Sequence, residues 1–231
     1  MEAVMTANTP IVKQSISRRD LAASFNYQTL FILFIFGSVA GFLVEGICHI
    51  IKAGTWENHA AVVWGPFCII YGVGLLVVYI LACFLSSGST LRLFAAFTLS
   101  GTVIEYFASL IQEMWLGSAS WDYSGHFLNI GGRVSLQMAL FWGVLGLLFV
   151  WFLYPPLQYV LGRIHGKWLN RACVVLSVFM AVNLLVTAAA LTRWTERQNG
   201  EQASTSIELA LDRRFDDATM TDLFPNMIFR F

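Results

Sequence analysis

The stretch Gly101–Arg133, GTVIEYFASLIQEMWLGSASWDYSGHFLNIGGR, opens inside a long apolar run and yet carries Glu105, Ser109 and Glu113. At i, i+4 and i+8 these three residues share one face of a helix. A loop rich in Trp, Asp, Tyr, His and Asn follows, and Gly131-Gly132-Arg133 leads into the next apolar run. A carboxylate at membrane depth is costly and faces a protein interior or a watery cavity. Reaching the interface explains Glu113, at the end of its run, but explains Glu105 poorly. The pattern predicts a membrane helix with a functional or network role for Glu105.

Composition extends that reading to the whole chain. Of 231 residues, 57% are hydrophobic and only 12% charged, where a soluble domain averages about 25% charged. Several apolar runs approach the ~20 residues needed to cross a bilayer. The fold class predicted is all-α: a polytopic helical membrane protein with about five transmembrane helices. The spans run roughly Leu30–Ile51, Val62–Leu85, Leu91–Glu113, Val134–Tyr154 and Ala172–Leu191. A polar leader at 1–28 and a polar tail at 193–231 flank a transmembrane domain at 29–192. The leader has no apolar core with a cleavage site, so it does not read as a secretory signal. Ser24 or Asn26 suits a cap for the first helix. Formal net charge is zero, which gives no argument for nucleic acid. Cys48, Cys68, Cys83 and Cys173 read as small packing residues in or beside apolar runs.

Within the first span, Gly37, Gly41, Glu45 and His49 fall four apart on one stripe. Gly37 and Gly41 permit close approach of a neighbouring helix, and Glu45 continues that seam. Trp64-Gly65-Pro66 is read at the start of the second span, where Pro costs least. Tyr71-Gly72-Val73-Gly74 is a second close-packing site. Asn129, Arg133 and Gln137, again four apart, are expected on one face at the start of the fourth span, which ends at Pro155-Pro156. In the fifth, Asn183 and Thr187 are expected to make interhelical hydrogen bonds.

Basic residues set the expected orientation. With the N-terminus inside, Lys13, Arg18, Arg19, Arg92, Arg163, Lys167 and Arg171 lie inside, against Lys52 and Arg133 outside. Five spans then place the tail outside. Glu45, His49, Glu105, Glu113, Asp122, Tyr123, Asn129, Arg133 and Gln137 are thereby expected to converge on one polar cavity in the outer half of the membrane. The order of residues also suggests an internal repeat. Gly41-xxx-Glu45 recurs as Gly101-xxx-Glu105, Trp56-Glu57 as Trp121-Asp122, and Gly72-Val-Gly-Leu-Leu as Gly143-Val-Leu-Gly-Leu-Leu. A parallel repeat of a helix hairpin makes Glu45 and Glu105 equivalent, placed to share a proton, bind a cation or pair with Arg133. The tail holds an amphipathic segment near Ser206–Phe215, and its hydrophobic end is expected to pack on the loops.

Recognised catalytic patterns are missing. Gly162-Arg-Ile-His-Gly-Lys-Trp has the wrong spacing for a nucleotide-binding loop, and no zinc-protease, serine-hydrolase or CxxC pattern occurs. His49, His59, His126 and His165 are scattered. No catalytic residue, cofactor or metal is assigned.

Glu45 with its preceding Gly41, Trp64-Gly65-Pro66, Tyr71-Gly72, Glu105-Tyr106, Glu113, Trp121-Asp-Tyr-Ser124, Asn129 and Gly132-Arg133 resemble the putative ABC-transporter type IV, or CmpB-like, family of bacterial membrane permeases. The resemblance covers roughly residues 30–160, with a Phe-Pro-Asn-Met-like tail as a weaker likeness. Family members often carry Cys-Pro after the Gly-Pro, where this chain has Phe67-Cys68-Ile69. The resemblance implies a permease subunit without its own ATPase in the bacterial inner membrane, and the count of basic residues sets its N-terminus in the cytoplasm. A separate ATP-binding subunit would dock near Pro155–Arg171, and five spans would call for a homodimer or a partner permease. An alternative from the same residues is a membrane enzyme or binding protein for a lipid-linked substrate at the outer leaflet. There Glu105 or Asp122 would be acid/base and Arg133 would hold a phosphate or carboxylate. A third reading is structural, with Arg133 neutralising the glutamates.

Overall fold

The computed structural model describes residues 25–85, 89–161, 163 and 166–230. The leader's Lys13, Arg18, Arg19 and Ser24 lie outside the described residues, as do 86–88 of the Ser86–Thr90 connector, Gly162 and His165. The protein is all-α and polytopic. Helix α1 (Tyr27–Ala53) is capped by Asn26, whose side chain accepts from the Thr29 amide at 2.8 Å. It stops at Gly54, whose left-handed backbone lets its N–H close on Ile50 O. Helix α2 (Ile69–Phe84) is shorter. Helix α3 (Thr90–Leu116) starts on Ser89 and ends on left-handed Gly117. Helix α4 (Leu136–Leu148) runs through a π-helical turn, Phe149–Leu153, into α5 (Tyr154–Leu161). Helix α6 covers Lys167–Gln198, and α7 (Ser206–Arg214) and α8 (Asp217–Leu223) follow in the tail. A two-residue strand β1 (Ser118–Ala119) pairs antiparallel with β2 (Ile228–Phe229) near the end of the chain.

Among the described residues, four helical stretches are long and apolar enough to cross a membrane: α1, α3, Leu136–Leu157 and α6. Large apolar side chains such as Leu99, Phe107, Val175 and Leu185 stand exposed along them, as expected where lipid replaces a protein interior. Helix α2, at 16 residues, is about 24 Å long, short of the ~30 Å hydrocarbon core.

The second span therefore differs from its sequence reading. Val62–Phe67 is not helical, and Trp64-Gly65-Pro66 does not open a helix but lies in an irregular segment with Gly65 at φ 86°. That segment packs at the middle of α6. Asn183, fully buried, accepts from the Trp64 amide at 3.2 Å and donates to the Trp64 carbonyl at 2.7 Å. Thr187 Oγ1 accepts from the Val63 amide at 3.0 Å. The polar pair in α6 thus satisfies irregular backbone rather than another helix. Non-helical chain at membrane depth is tolerated only where it is so enclosed or lines a cavity.

The fourth span differs at its other end. The helix does not stop at Pro155-Pro156 but passes through them. Prolines lack the N–H for the ladder and crowd the carbonyl one turn back. The π turn just before them widens the register, with the Tyr154 N–H closing on Phe149 O. The stretch Pro155–Arg171 is accordingly mostly helical. Helix α6 also outruns its predicted span and carries Arg193, Trp194 and Arg197 beyond it to hold the tail.

Apolar packing gathers at two levels. Leu33, Val78, Tyr79, Cys83, Leu93, Phe97 and Phe149 join α1 through the π turn. Val63, Ala190, Leu191, Trp194, Phe215, Met220 and Phe224 join the irregular segment, α6 and the tail. All four cysteines are unpaired, three of them buried.

The internal repeat is written in the contacts. A side chain at Gly41 would meet the Tyr71 ring, and one at Gly101 would meet Trp142. Gly72 makes room for Phe34 and Ser38; Gly143 makes room for Phe94 and Thr98. Phe34/Phe94, Ser38/Thr98, Gly41/Gly101 and Glu45/Glu105 are each sixty residues apart, whereas Tyr71/Trp142 and Gly72/Gly143 are seventy-one apart. The extra residues fall between Glu105 and Trp142, shared by the loop and the helix ends that flank it. The α1–α2 and α3–α4 hairpins are thus two copies of one packing unit.

Candidate functional site

Glu45 and Glu105 occupy matching places in the two hairpins, and each meets the aromatic residue that its own copy supplies. The Tyr71 hydroxyl donates to Glu45 Oε1. Trp142, the counterpart of Tyr71, stands beside Glu105. The Tyr71 and Trp142 rings lie 5.2 Å apart and join the two units across the seam. Glu105 is 4% exposed and sits eleven residues from the end of α3, roughly 16 Å along the axis. The Tyr123 hydroxyl, from the loop after α3, donates to Glu105 Oε1 at 3.0 Å. Glu105 Oε2 and the Trp142 indole N–H beside it are both buried and make no well-aligned hydrogen bond. Burial and then the charge of Glu105 push the Tyr123 phenol well up from its usual range.

Glu113, on the same face of α3 as Glu105 and Ser109, belongs to a second, more exposed group. Arg133 Nη1 donates to Glu113 at 2.7 Å and to Ser109 Oγ at 3.3 Å. Arg230, from the tail, donates to the same Glu113 oxygen at 2.8 Å and lies 3.5 Å from Asp122. The bond from Glu113 holds the Arg133 guanidinium above its usual value. The Ser124 hydroxyl and amide hold Asp122 below the usual carboxylate range.

The remaining predicted residues lie elsewhere. His49 Nδ1 donates to Thr55 O at 2.8 Å, and its other ring nitrogen lies 3.4 Å from Glu57, which His59 approaches equally closely from the other side. Among the described residues no three His, Cys, Asp or Glu side chains converge as a metal site. Asn129 holds a turn, donating to Ser124 O and His126 O and accepting from the Gly132 amide. Because α4 begins only at Leu136, Asn129, Arg133 and Gln137 do not share a helix face, and Gln137 is exposed. The polar residues are thus placed in separate groups rather than around one cavity, and Arg133 faces Glu113 rather than Glu45 or Glu105.

Reasoning from sequence missed Tyr71 and Trp142 as partners of the glutamates, and Glu57 and Arg230 as members of the outer groups. The repeat carried the signal for the first two: aligning Gly72 with Gly143 sets Tyr71 on Trp142. No local pattern marks Arg230, whose partners are more than one hundred residues away.

The family model described as putative ABC-transporter type IV matches residues 32–188, which takes in both hairpins and most of α6. No curated protein and no solved structure matches the chain.

Proposed function

The chain belongs to the putative ABC-transporter type IV family, and from that premise we propose that it is a transport permease subunit whose polar path follows the seam between the two hairpins. One observation carries this reading: two glutamates at equivalent depth, each met by an aromatic side chain from its own copy. Paired repeats with an ionisable site near their interface and an interrupted helix beside it are a recurring transporter arrangement. The short α2 and the irregular segment before it supply that interruption. Glu45 and Glu105 form the path, while Glu113, Arg133, Asp122 and Arg230 form its rim.

The energy source lies in a separate ATP-binding subunit, docked around Pro155–Arg171. Exposed Trp168, Tyr159 and Arg163 sit there, with the guanidinium stacked on the tyrosine ring at 3.4 Å. The seam side faces outward, the N-terminus lies in the cytoplasm of a bacterium, and the path is completed in a homodimer. The alternative of an enzyme for lipid-linked substrates is the weaker reading, because the Arg133 cation that it needs is already engaged by Glu113.

The test is affinity purification in mild detergent. A stoichiometric ATP-binding subunit, lost on replacing Trp168 and Arg171, is the expected result. A chain that purifies alone under every condition overturns the permease reading.

A further inference from the structure

We propose that the Glu45–Glu105 pair binds one proton, seated on Glu105 Oε2, and that the permease loads and releases this proton as it works. The inference rests on the permease reading above and names the ligand of that same seam.

The argument begins with charge. The groups facing the pair are Tyr71 and Cys68 from the α2 side, Tyr123 from the loop after α3 and Trp142 from α4. Farther along α1, His49 is turned to Thr55 and Glu57. Farther along α3, Glu113 is paired with Arg133 and Arg230 and supplies no cation to the seam. The two basic side chains of the rim are committed elsewhere, Arg133 to Glu113 and Ser109, Arg230 to Glu113 and Asp122. Two carboxylates at membrane depth are therefore left without a counter-cation, which is expensive for both together.

Geometry then selects the cation. Glu105 is 4% exposed, and its Oε2 has neither solvent nor a well-aligned donor. Trp142, 5% exposed, covers it, with its indole N–H beside the carboxyl but out of good hydrogen-bonding geometry. A metal ion or an ammonium group needs several ligands or a space of its own; a proton needs only a lone pair. Binding forms one O–H bond on Oε2 and neutralises Glu105, while Tyr123 continues to donate to Oε1. Release restores the charge, and Glu45, held by Tyr71, favours the proton's return.

Infrared difference spectroscopy on the purified chain in lipid nanodiscs tests this without any transport assay. The carbonyl stretch of a protonated carboxyl should titrate with pH in the wild type and vanish in Glu105→Gln. In Glu45→Gln the same band should persist but titrate away at a pH lower by about one unit, because the like charge is gone. A wild type with no titrating carboxyl band, or a band untouched by Glu105→Gln, overturns the proton site. Should Glu105→Gln fail to fold, the wild-type titration and the direction of the Glu45→Gln shift still decide. The two readings fail separately: a bound ATPase without the band removes the proton site alone, and the band in a chain without an ATPase removes the permease reading alone.

Discussion

Single residues hold the seam together, and the glycines show most plainly how. The ladder Glu105, Ser109, Glu113 is legible from helical periodicity, and so is the stripe Gly37, Gly41, Glu45. What the stripe faces is not legible, because Tyr71 and Trp142 lie 30 and 41 residues beyond Gly41 and Gly101 and look like ordinary apolar residues. A methyl group at Gly41 or Gly101 has no room, since the aromatic ring already fills that volume. Each of Gly41→Ala and Gly101→Ala should therefore destabilise the protein by about 1–3 kcal/mol. Gly125→Ala, which meets nothing within 4 Å, should stay within about 0.5 kcal/mol of the parent. Thermal unfolding in detergent measures all three, and equal melting for Gly101→Ala and Gly125→Ala would refute the packing account. The same comparison tests the repeat, because the Gly41 and Gly101 variants should cost similar amounts.

At the scale of elements, hydropathy located the four long apolar helices but could not say which other apolar stretch is helical. Val62–Phe67 is as apolar as a helix start, and only its partners reveal otherwise. Its backbone donors and acceptors find Asn183 and Thr187, a match invisible to a reading along the chain because the two lie some 120 residues away. Pro155-Pro156 misled in the opposite sense, since the π turn absorbs a break that the prolines alone would impose. The irregular segment supplies a clear prediction. Asn183→Leu leaves the Trp64 amide and carbonyl unpaired in a buried setting, at about 1–3 kcal/mol for each group. Thr187→Val strands only the Val63 amide and should cost roughly half as much. Loosening the segment should uncover buried Cys68 at the head of α2. Maleimide labelling of Cys68, with the other cysteines replaced by serine or alanine, should be fastest in Asn183→Leu, intermediate in Thr187→Val and slowest in the parent. Labelling rates that do not follow this order would mean that α6 does not hold the segment.

For the molecule as a whole, the tail decides how the parts close up. Its hydrophobic residues announced that it packs on something, but its charge partners are spread over the whole chain. Asn226 donates to Glu57 at 2.6 Å, the Arg230 amide donates to Gly117 O at 2.8 Å, and Phe229 meets Trp194 edge-on at 4.9 Å. The tail thus lies on the side of the α1–α2 and α3–α4 loops. Its anchor is Asp212, which accepts from Arg193 at 3.0 and 2.8 Å and from Arg197 at 2.6 Å. Those bonds, Arg193 first and then Arg197, hold the Asp212 carboxyl below its ordinary value of 3.8. A carboxyl depressed in the folded state stabilises above its ordinary value and loses that contribution as pH falls through the folded value. Asp216, depressed by its capping bonds from Thr219, acts in the same direction. Tail docking should therefore be flat from about pH 7 to about pH 5 and weaken only below 3.8. Asp212→Asn leaves Arg193, itself 4% exposed, with Glu196 as its remaining charge partner among the described residues, and should loosen the tail at neutral pH by about 1–3 kcal/mol, with little further change in acid. Amide hydrogen exchange over residues 206–230 reads both effects. Loosening of the parent between about pH 7 and about pH 5 would mean that Asp212 is not the anchor.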